Sequence, residues 1–378
     1  MKVLLTGGGT GGHITPLLAV AHKLKAADPT TEVIYVGERG SRFSSMTKDQ
    51  AVFDKQYQVF AGKLRRYNGE SWLTRILDIK TNLLNLRDLF YVLFGVIESW
   101  FLLRKLRPDV ILLKGGFVGV PIGLAARSRF PIVTHDSDAL PGLANRLVSR
   151  WAIIHATGMP ASYYQYPAAK MRYIGVIVSE AYKQVTPALK QSYRQEIGLP
   201  TESPVLMITG GSNGAQTINK QVAEFAPGLL DKLPTLQIIH QVGNGNETIY
   251  GDYSNDRLKV YGLLANFQQY SGSADVIVTR AGANTIAEFG IQAKACIVVP
   301  NGLLTGGHQL KNADYLVQNK AAIIVEEGVD GALLSAVEAL LADDSEQKRL
   351  GDSLHSLTKP HAAQALADIL REVAGQGN

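Results

Sequence analysis

The sequence has little cysteine, little charge and no long hydrophobic run. Its 378 residues include one cysteine, Cys296, which excludes a disulfide framework and a cysteine-based zinc site. The longest apolar stretch, Leu89–Leu103, contains Glu98 and is shorter than the roughly 20 residues that a membrane span needs. The apolar run that opens the sequence is too short for a signal peptide. With 46% hydrophobic residues the chain can still bury sizeable cores, so we expect a soluble protein of a reducing cytosol.

The net charge of +5 is mild and does not by itself indicate nucleic-acid binding. It is concentrated between residues 62 and 107, which hold nine Lys or Arg and four acidic residues among many aromatic and aliphatic ones. A basic amphipathic surface of this kind favours binding to anionic lipid, and we assign that role to Lys63–Lys80. For Leu89–Leu106 we favour an ordinary buried helix.

Short apolar runs alternate with longer helical patterns, which is typical of a doubly wound parallel sheet. The predicted strands of the first half are Lys2–Thr6, Glu32–Val36, Asp109–Leu113, Pro131–His135 and Ala152–Ala156. Those of the second half are Val205–Thr209, Gln237–Gln241, Leu258–Tyr261, Asp275–Thr279, Ala295–Val299 and Ala321–Val325.

The rhythm restarts after residue 200, and residues 176–190 show no strong core pattern, so we place the linker there. Both halves open with a strand, a glycine-rich turn and a helix. Two such α/β domains facing each other predict a cleft at the carboxyl ends of both sheets. The helical pattern Ala362–Val373 is predicted to pack back on the first domain.

The first glycine-rich turn, Gly7–Gly12, precedes His13 and suits close approach of a negatively charged group to a helix N-terminus. A dinucleotide site, with Glu38 as the ribose acid, and a ligand-free tight turn remain alternatives. The positive end of the helix should keep His13 neutral and able to act as a base. The alternative is that His13 only caps the helix or orients a ligand.

The second turn, Gly210–Gly214, repeats this logic, and its Ser212 is predicted to cap the next helix and to bind phosphate. Two such turns suit a diphosphate ligand and a reacting partner better than one dinucleotide. Downstream, Arg280–Glu288 opens a further helix, and Glu288 is placed to bind a ribose diol. Thr305–Asn312 supplies more glycines, amides and an imidazole at another helix start.

Strands of the first half end in Gly115-Gly116 and in His135-Asp136-Ser137-Asp138. The two spaced aspartates suggest a metal site, but we favour sugar binding or positioning of the loop. The sequence contains no metalloprotease, nucleophile-elbow, P-loop or kinase motif, and no evident nucleophile.

Seven motifs in register over nearly the whole chain resemble the MurG family, peptidoglycan enzymes that add N-acetylglucosamine to lipid I. They are GGGTGGH (7–13), KLRRY (63–67), RPDVILLKGGFVGVP (107–121), HDSDALPGLANR (135–146), GGSNGA (210–215), TRAGANTIAE (279–288) and TGGHQLKNA (305–313).

The resemblance implies an α/β fold of GT-B type, with two Rossmann-like doubly wound domains and an interdomain cleft. Residues 1–177 would bind the acceptor and face the membrane, residues 178–360 would bind the UDP-sugar, and helix 361–378 would return to the first domain. It implies an inverting transferase at the cytoplasmic face of the membrane. Its substrates would be UDP-N-acetylglucosamine and a polyprenyl-diphosphate acceptor, with no cofactor, metal or nucleic acid.

The same resemblance implies roles for individual residues, with His13 as the candidate base. On the donor side it implies Thr10, Gly11 and Gly12 (which also lie near the acceptor's diphosphate), Ser212, Asn213, Gly214, Leu264, Arg280, Ala283, Asn284, Thr285, Glu288, His308 and Gln309. On the acceptor side it implies Gly115, Gly116, His135, Asp138 and Asn145.

The chain departs from the family pattern at three positions. Ser179 stands where a junction arginine is common, Asn213 replaces a glutamine, and Asp138 replaces an asparagine. These differences leave open a transferase with another acceptor, an epimerase-like use of a UDP-sugar, or a nucleotide-sugar-binding protein without turnover.

Overall fold

The computed structural model describes residues 1–9, 11–41, 45–48, 50–63, 65, 78–302 and 307–376. The chain divides into two compact units, one of residues 1–179 and 359–378 and one of residues 180–358. Val176 and Ile177 are buried in the first unit, so the stretch outside the cores is shorter than the predicted 176–190.

The first unit contains a seven-stranded, wholly parallel sheet in the order β3-β2-β1-β4-β5-β6-β7. The strands are β1 Lys2–Thr6, β2 Glu32–Glu38, β3 Lys55–Val59, β4 Val110–Leu113, β5 Ile132–Asp136, β6 Ile154–Thr157 and β7 Met171–Tyr173. The helices are α1 Gly11–Ala27, α2 Ser45–Lys48, α3 Ile79–Leu106, α4 Gly119–Ala126, α5 Leu143–Val148 and, from the end of the chain, α13 Ala362–Gly375.

Alternate residues of β1 point to opposite faces of this sheet, as the period of a strand requires. Val3 and Leu5 pack with α1 and α13, whereas Leu4 packs with residues of α3 and α4. In the described part of the chain α13 therefore lies on the first sheet beside α1.

The second unit contains a six-stranded parallel sheet in the order β10-β9-β8-β11-β12-β13. Its strands are β8 Val205–Thr209, β9 Gln237–Gln241, β10 Leu258–Tyr261, β11 Val276–Thr279, β12 Ala295–Val298 and β13 Ile323–Ile324. Its helices are α6 Pro187–Glu196, α7 Gln216–Lys232, α8 Phe267–Ser273, α9 Ala283–Ile291, α10 His308–Gln318, α11 Ala332–Leu341 and α12 Asp344–Ser356. The predicted doubly wound fold is confirmed in both units.

The prediction that Leu89–Leu106 is an ordinary buried helix is wrong, because α3 exposes many apolar side chains. One stripe of α3 is buried on the sheet, and Gly95 lies so close to Phe60 that an added Cβ would meet its carbonyl oxygen at 1.9 Å. Large apolar side chains at helical spacing form an exposed stripe, which we call the α3 apolar face: Ile79, Leu83, Leu86, Phe90, Leu93, Phe94, Ile97 and Phe101. Periodicity alone does not tell which of two apolar stripes faces the core.

None of the described helices combines the length and the apolar character that crossing a membrane requires. Most of the predicted membrane segment Lys63–Lys80 lies outside the described residues. Of its cations, Arg65 is tied to α3 by an ion pair of 2.7 Å with the buried carboxylate of Asp88.

Candidate active site

The imidazole of His13 lies in the first turn of α1, directly after the glycine-rich turn that follows β1. The side chain is half-buried, and its Nδ1 is fully buried without a hydrogen-bond partner among the described residues. A Cβ placed on Gly115 would lie 3.4 Å from Cε1 of His13, so the ring packs against the turn after β4. Sequence-distant turns thus meet at His13.

The pKa of His13 is lowered to about 4, mainly by burial and to a smaller extent by the Lys114 ammonium. Asp138 and a hydrogen bond to the Lys114 backbone act in the opposite direction. His13 is therefore neutral at physiological pH. The sequence predicted this state from the helix N-terminus, whereas in the structure burial and Lys114 cause it.

Gly115 and Gly116 both have positive φ, 98° and 78°, a region that favours glycine. A Cβ on Gly116 would lie only 2.2 Å from the carbonyl oxygen of Gly8. The glycines after β4 therefore let this turn pack backbone to backbone on the turn after β1.

The other acceptor-side candidates lie at the end of β5, in the loop that follows it and in α5. His135 is fully buried, and its Nε2 lies 3.2 Å from the Gly175 carbonyl oxygen, so it is part of the interior. Asn145 is also buried, and its Nδ2 donates to the carbonyl oxygen of His135 and to Oδ1 of Asp136. Asp138 is half-buried beside them, and its backbone oxygen accepts from the Tyr164 hydroxyl at 2.8 Å.

Asp136 fixes the loop that follows β5. Its Oδ1 accepts from the Gly142 backbone as well as from Asn145, and its Oδ2 accepts from the Tyr166 hydroxyl at 2.9 Å. These contacts hold the loop in place. Within the described ranges, no three His, Cys, Asp or Glu side chains are grouped as metal ligands would be.

In the second unit, the turn Gly210–Gly214 lies between β8 and α7. Ser212 and Asn213 are exposed, and Gly214 has a φ of 71°. The prediction that Ser212 caps the helix is wrong, because α7 begins at Gln216 and its N-cap is Ala215, which makes no side-chain cap. The Ser212 hydroxyl is thus not engaged as a helix cap.

Gln241, the last residue of β9, organises the strand ends around this turn. Its Nε2 donates to Oγ1 of Thr209 and to the Gly211 carbonyl oxygen, each at 3.2 Å. Its Oε1 accepts from the backbone of Leu264 at 3.0 Å, which fixes that residue after β10. One buried amide therefore joins three adjacent strand ends.

The guanidinium of Arg280 follows β11 and is buried. It donates to the Val299 carbonyl oxygen at 3.1 Å and forms an ion pair with Glu327. Arg280 thus joins the end of β11 to the end of β12 and to Glu327. The helix α9 begins just beyond it, and its first turn contains the predicted donor residues Ala283, Asn284 and Thr285.

Glu288 lies one turn further along α9 and is half-buried. Burial raises the pKa of its carboxyl to about 7, while a hydrogen bond from the Tyr182 hydroxyl lowers it. Burial and the carboxylate together raise the pKa of Tyr182. The carboxylate predicted to bind a ribose thus has a partner within its own unit.

The start of α10 provides His308 and Gln309. Gln309 is buried, and its Oε1 accepts from the Asn301 backbone at 2.9 Å, so it fixes the chain after β12. Thr10 and residues 303–306 lie outside the described residues.

Sequence reasoning missed three residues of these clusters: Lys114, Tyr182 and Gln241. The sequence did carry a signal for Lys114, because this cation directly follows an apolar strand, where a side chain is expected to be buried. Tyr182 and Gln241 gave no signal, because their partners are distant in sequence.

Two family models match the chain. The glycosyltransferase family 28 N-terminal domain matches residues 3–156, and the glycosyltransferase family 28 C-terminal domain matches residues 205–366.

A curated relative from Symbiobacterium thermophilum is 32% identical, covering 100% of this chain and 97% of the relative. It is named UDP-N-acetylglucosamine–N-acetylmuramyl-(pentapeptide) pyrophosphoryl-undecaprenol N-acetylglucosamine transferase.

Among solved structures, Acinetobacter baumannii MurG matches with a TM-score of 0.71 at 23% identity, covering 98% of this chain and 99% of that one. A UDP-GlcNAc 2-epimerase from Neisseria meningitidis bound to UDP-GlcNAc matches with a TM-score of 0.68 at 15% identity, covering 98% and 100%. Both likenesses concern the fold alone. On the full-length sequence similarity, the chain belongs to the MurG family of N-acetylglucosamine transferases, with the two domains of glycosyltransferase family 28.

Proposed function

We propose that the chain moves N-acetylglucosamine from UDP-N-acetylglucosamine to the 4-hydroxyl of the muramoyl sugar of lipid I, forming lipid II. The observation that carries this proposal is the 32% identity, over the full length, to a transferase of that name. The candidate residues at the carboxyl ends of both parallel sheets support it, since α/β folds bind ligands at that edge.

The second unit binds the donor in this proposal. Glu288 accepts hydrogen bonds from the ribose hydroxyls, and the turn Gly210–Gly214 with the N-terminus of α7 holds the diphosphate. His308 and Gln309 face the donor sugar. Because Arg280 is engaged with Glu327, the backbone amides of the turn carry most of the phosphate recognition.

The first unit binds the acceptor. The N-terminus of α1 holds its diphosphate, and the neutral imidazole of His13 receives the proton of the 4-hydroxyl. The hydroxyl oxygen bonds to the anomeric carbon, while the bond from that carbon to the UDP oxygen breaks and its electron pair leaves with UDP. Displacement of this kind inverts the anomeric centre to β.

The lipid-linked acceptor requires the enzyme to work at a membrane surface, and we place that contact on the α3 apolar face. Contiguous exposed apolar patches of this kind mark interaction surfaces. Three exposed cations, Arg104, Lys105 and Arg107, lie at the C-terminal end of the helix and complement anionic lipid of the cytoplasmic leaflet. From its sequence alone, we assign the basic segment Lys63–Lys80 to the same contact with anionic lipid.

The test is transfer of labelled sugar from UDP-N-acetylglucosamine to a soluble lipid I analogue, with a chelator present. We expect a β-linked disaccharide product and release of UDP. Conversion of the donor to its 2-epimer without acceptor would instead favour the epimerase-like alternative. Tight UDP binding with neither product would favour a protein that has lost catalysis.

A further inference from the structure

The side-chain amide of Gln241 connects two segments of the second unit from the interior. Gln241 is the last residue of β9, and 2% of its surface is exposed. Its Nε2 donates to the carbonyl oxygen of Gly211, in the turn after β8, at 3.2 Å, and its Oε1 accepts from the backbone N–H of Leu264, after β10, at 3.0 Å. Because one partner is a carbonyl oxygen and the other is an N–H, only one orientation of the amide satisfies both.

Gly211 is held through both of its backbone polar groups. Its N–H donates to Oγ1 of Thr209 at 3.0 Å, and the same Oγ1 accepts from Nε2 of Gln241 at 3.2 Å. The carbonyl oxygen of Gly211 also accepts from the N–H of Gly214 at 3.0 Å. The backbone of the turn is therefore tied to the ends of β8 and β9.

The chain after β9 also packs directly on this turn. A Cβ on Gly214 would lie 2.0 Å from the carbonyl oxygen of Val242, and a Cβ on Gly243 would lie 2.6 Å from the carbonyl oxygen of Asn213. Both glycines have positive φ, 71° and 85°. Ser212 and Asn213, at the tip of the turn, are exposed. The end of β9 thus fixes the base of the turn and leaves its tip accessible to a ligand.

We propose that Gln241 is a positioning residue of the donor site, whose amide holds the turn Gly210–Gly214 and the segment of Leu264 at a fixed spacing. The inference rests on the proposed function, in which that turn binds the diphosphate of the donor; Leu264 is a donor-side residue by the family resemblance. A ligand that contacts both segments binds tightly when they are in place before it arrives, because the cost of ordering them then does not reduce its affinity. Gln241 acts through the two segments and not by contact with the substrate.

The test compares the affinities of UDP, by calorimetry, and of uridine, by ligand-observed NMR, in the full chain and two variants. Gln241→Met removes the amide without adding a charge, so the affinity for UDP should fall by about tenfold or more. Gln241→Glu keeps an oxygen for the N–H of Leu264 but has no donor for Gly211. In this variant UDP affinity should fall by about tenfold or more, whereas uridine, which has no diphosphate, should bind within about twofold of the unaltered chain.

Gln237, the first residue of the same strand, is also buried and provides the matched controls. Gln237→Met and Gln237→Glu should bind both ligands as the unaltered chain does. In the transfer assay, the KM for the donor should rise in Gln241→Met, whereas the KM for the acceptor, which the first unit binds, should not change. Should Gln241→Met fail to fold, Gln241→Asn replaces it, because its amide is one methylene too short to reach both segments.

Two results would overturn the inference alone. One is unchanged UDP affinity in Gln241→Met, and the other is an equal loss of UDP and uridine affinity in Gln241→Glu, which would indicate a general effect on folding. If the unaltered chain binds no UDP, the donor site of the proposed function fails and the inference fails with it.

Discussion

The Tyr182 hydroxyl donates a hydrogen bond to the Glu288 carboxylate, and both residues belong to the second unit. Tyr182 stands only a few residues after the first unit ends. Its hydroxyl donates to the carboxylate that, in the proposed function, accepts hydrogen bonds from the ribose hydroxyls. Binding of a ribose diol therefore has to displace the phenol or share the carboxylate with it.

The variant Tyr182→Phe tests this competition. The substitution removes only the hydroxyl and keeps the ring, so Glu288 loses its partner without a change in ring packing. A hydrogen bond to a charged group is worth about 1.5–3 kcal/mol. At pH 9, where Glu288 stays ionised without the hydrogen bond that lowers its pKa, we expect UDP to bind about tenfold more tightly, as measured by calorimetry. Tyr57→Phe, in the first unit, is the matched control. A tenfold loss of UDP affinity in Tyr182→Phe would show that the phenol itself contacts the nucleotide.

Glu288 also predicts how donor affinity depends on pH. Burial raises its pKa to about 7, so the carboxylate that would bind the ribose is depleted as the pH falls below that value. Between pH 8 and pH 6 we expect UDP-N-acetylglucosamine affinity to fall up to about tenfold, since each pH unit below a pKa removes a factor of ten of the ionised form. This donor has no ionisation of its own in that range. Glu288→Gln should bind weakly and without pH dependence, and an unchanged profile in that variant would contradict the assignment.

The α3 apolar face predicts a membrane-binding phenotype. Burying one Leu or Phe side chain in an apolar medium contributes about 1.5–3 kcal/mol, so placing a charge there is costly. Phe94→Glu combined with Ile97→Glu should lower partitioning to anionic vesicles at least tenfold, measured by co-sedimentation. Val317→Glu, an exposed apolar position on α10, is the control and should bind as the unaltered chain does. Equal losses in both would show that charge alone, not this face, determines binding.

Arg65 is a poor site for testing membrane attachment. Its ion pair with the buried carboxylate of Asp88 holds the chain on α3. Reversal of its charge would place two acids together in the interior. Loss of vesicle binding in such a variant would report on folding.

Lys294 predicts a pH dependence of stability in the second unit. It is buried, its Nζ donates to the carbonyl oxygens of Gly272 and Ala274, and burial lowers its pKa to about 7. The unfolded chain, with a lysine pKa of about 10.4, binds the extra proton between these values, so stability should rise with pH there. Relative to Lys294→Met, the free energy of unfolding should increase by up to about 1.4 kcal/mol per pH unit between pH 7.5 and 9.5. Denaturant titrations of both proteins measure the difference, and parallel pH profiles would refute it.

The sequence predicts strands where buried residues are contiguous. The runs Lys2–Thr6, Val205–Thr209 and Gln237–Gln241 agree with the structure residue for residue. It misses β3, Lys55–Val59, and β7, Met171–Tyr173, because edge strands are partly exposed and carry polar residues. Such strands show no apolar run for a sequence pattern to detect.

The candidate site, too, could be predicted only in part from the sequence. Glycine-rich turns at strand ends are visible in sequence, because backbone geometry demands glycine there, as at Gly116. What the sequence does not show is which side chain meets which. Lys114 beside His13, and Tyr182 on Glu288, depend on packing between segments far apart in the chain.

Single-turnover transfer by His13→Ala, with both substrates saturating, tests whether His13 receives the proton of the acceptor hydroxyl. General-base catalysis contributes about 10²–10⁴-fold, so the rate should fall by that factor. UDP affinity should stay within twofold, because the proposed donor residues of the second unit are unchanged, and His22→Ala should transfer normally. A His13→Ala protein that transfers sugar at a near-normal rate would show that His13 is not the base.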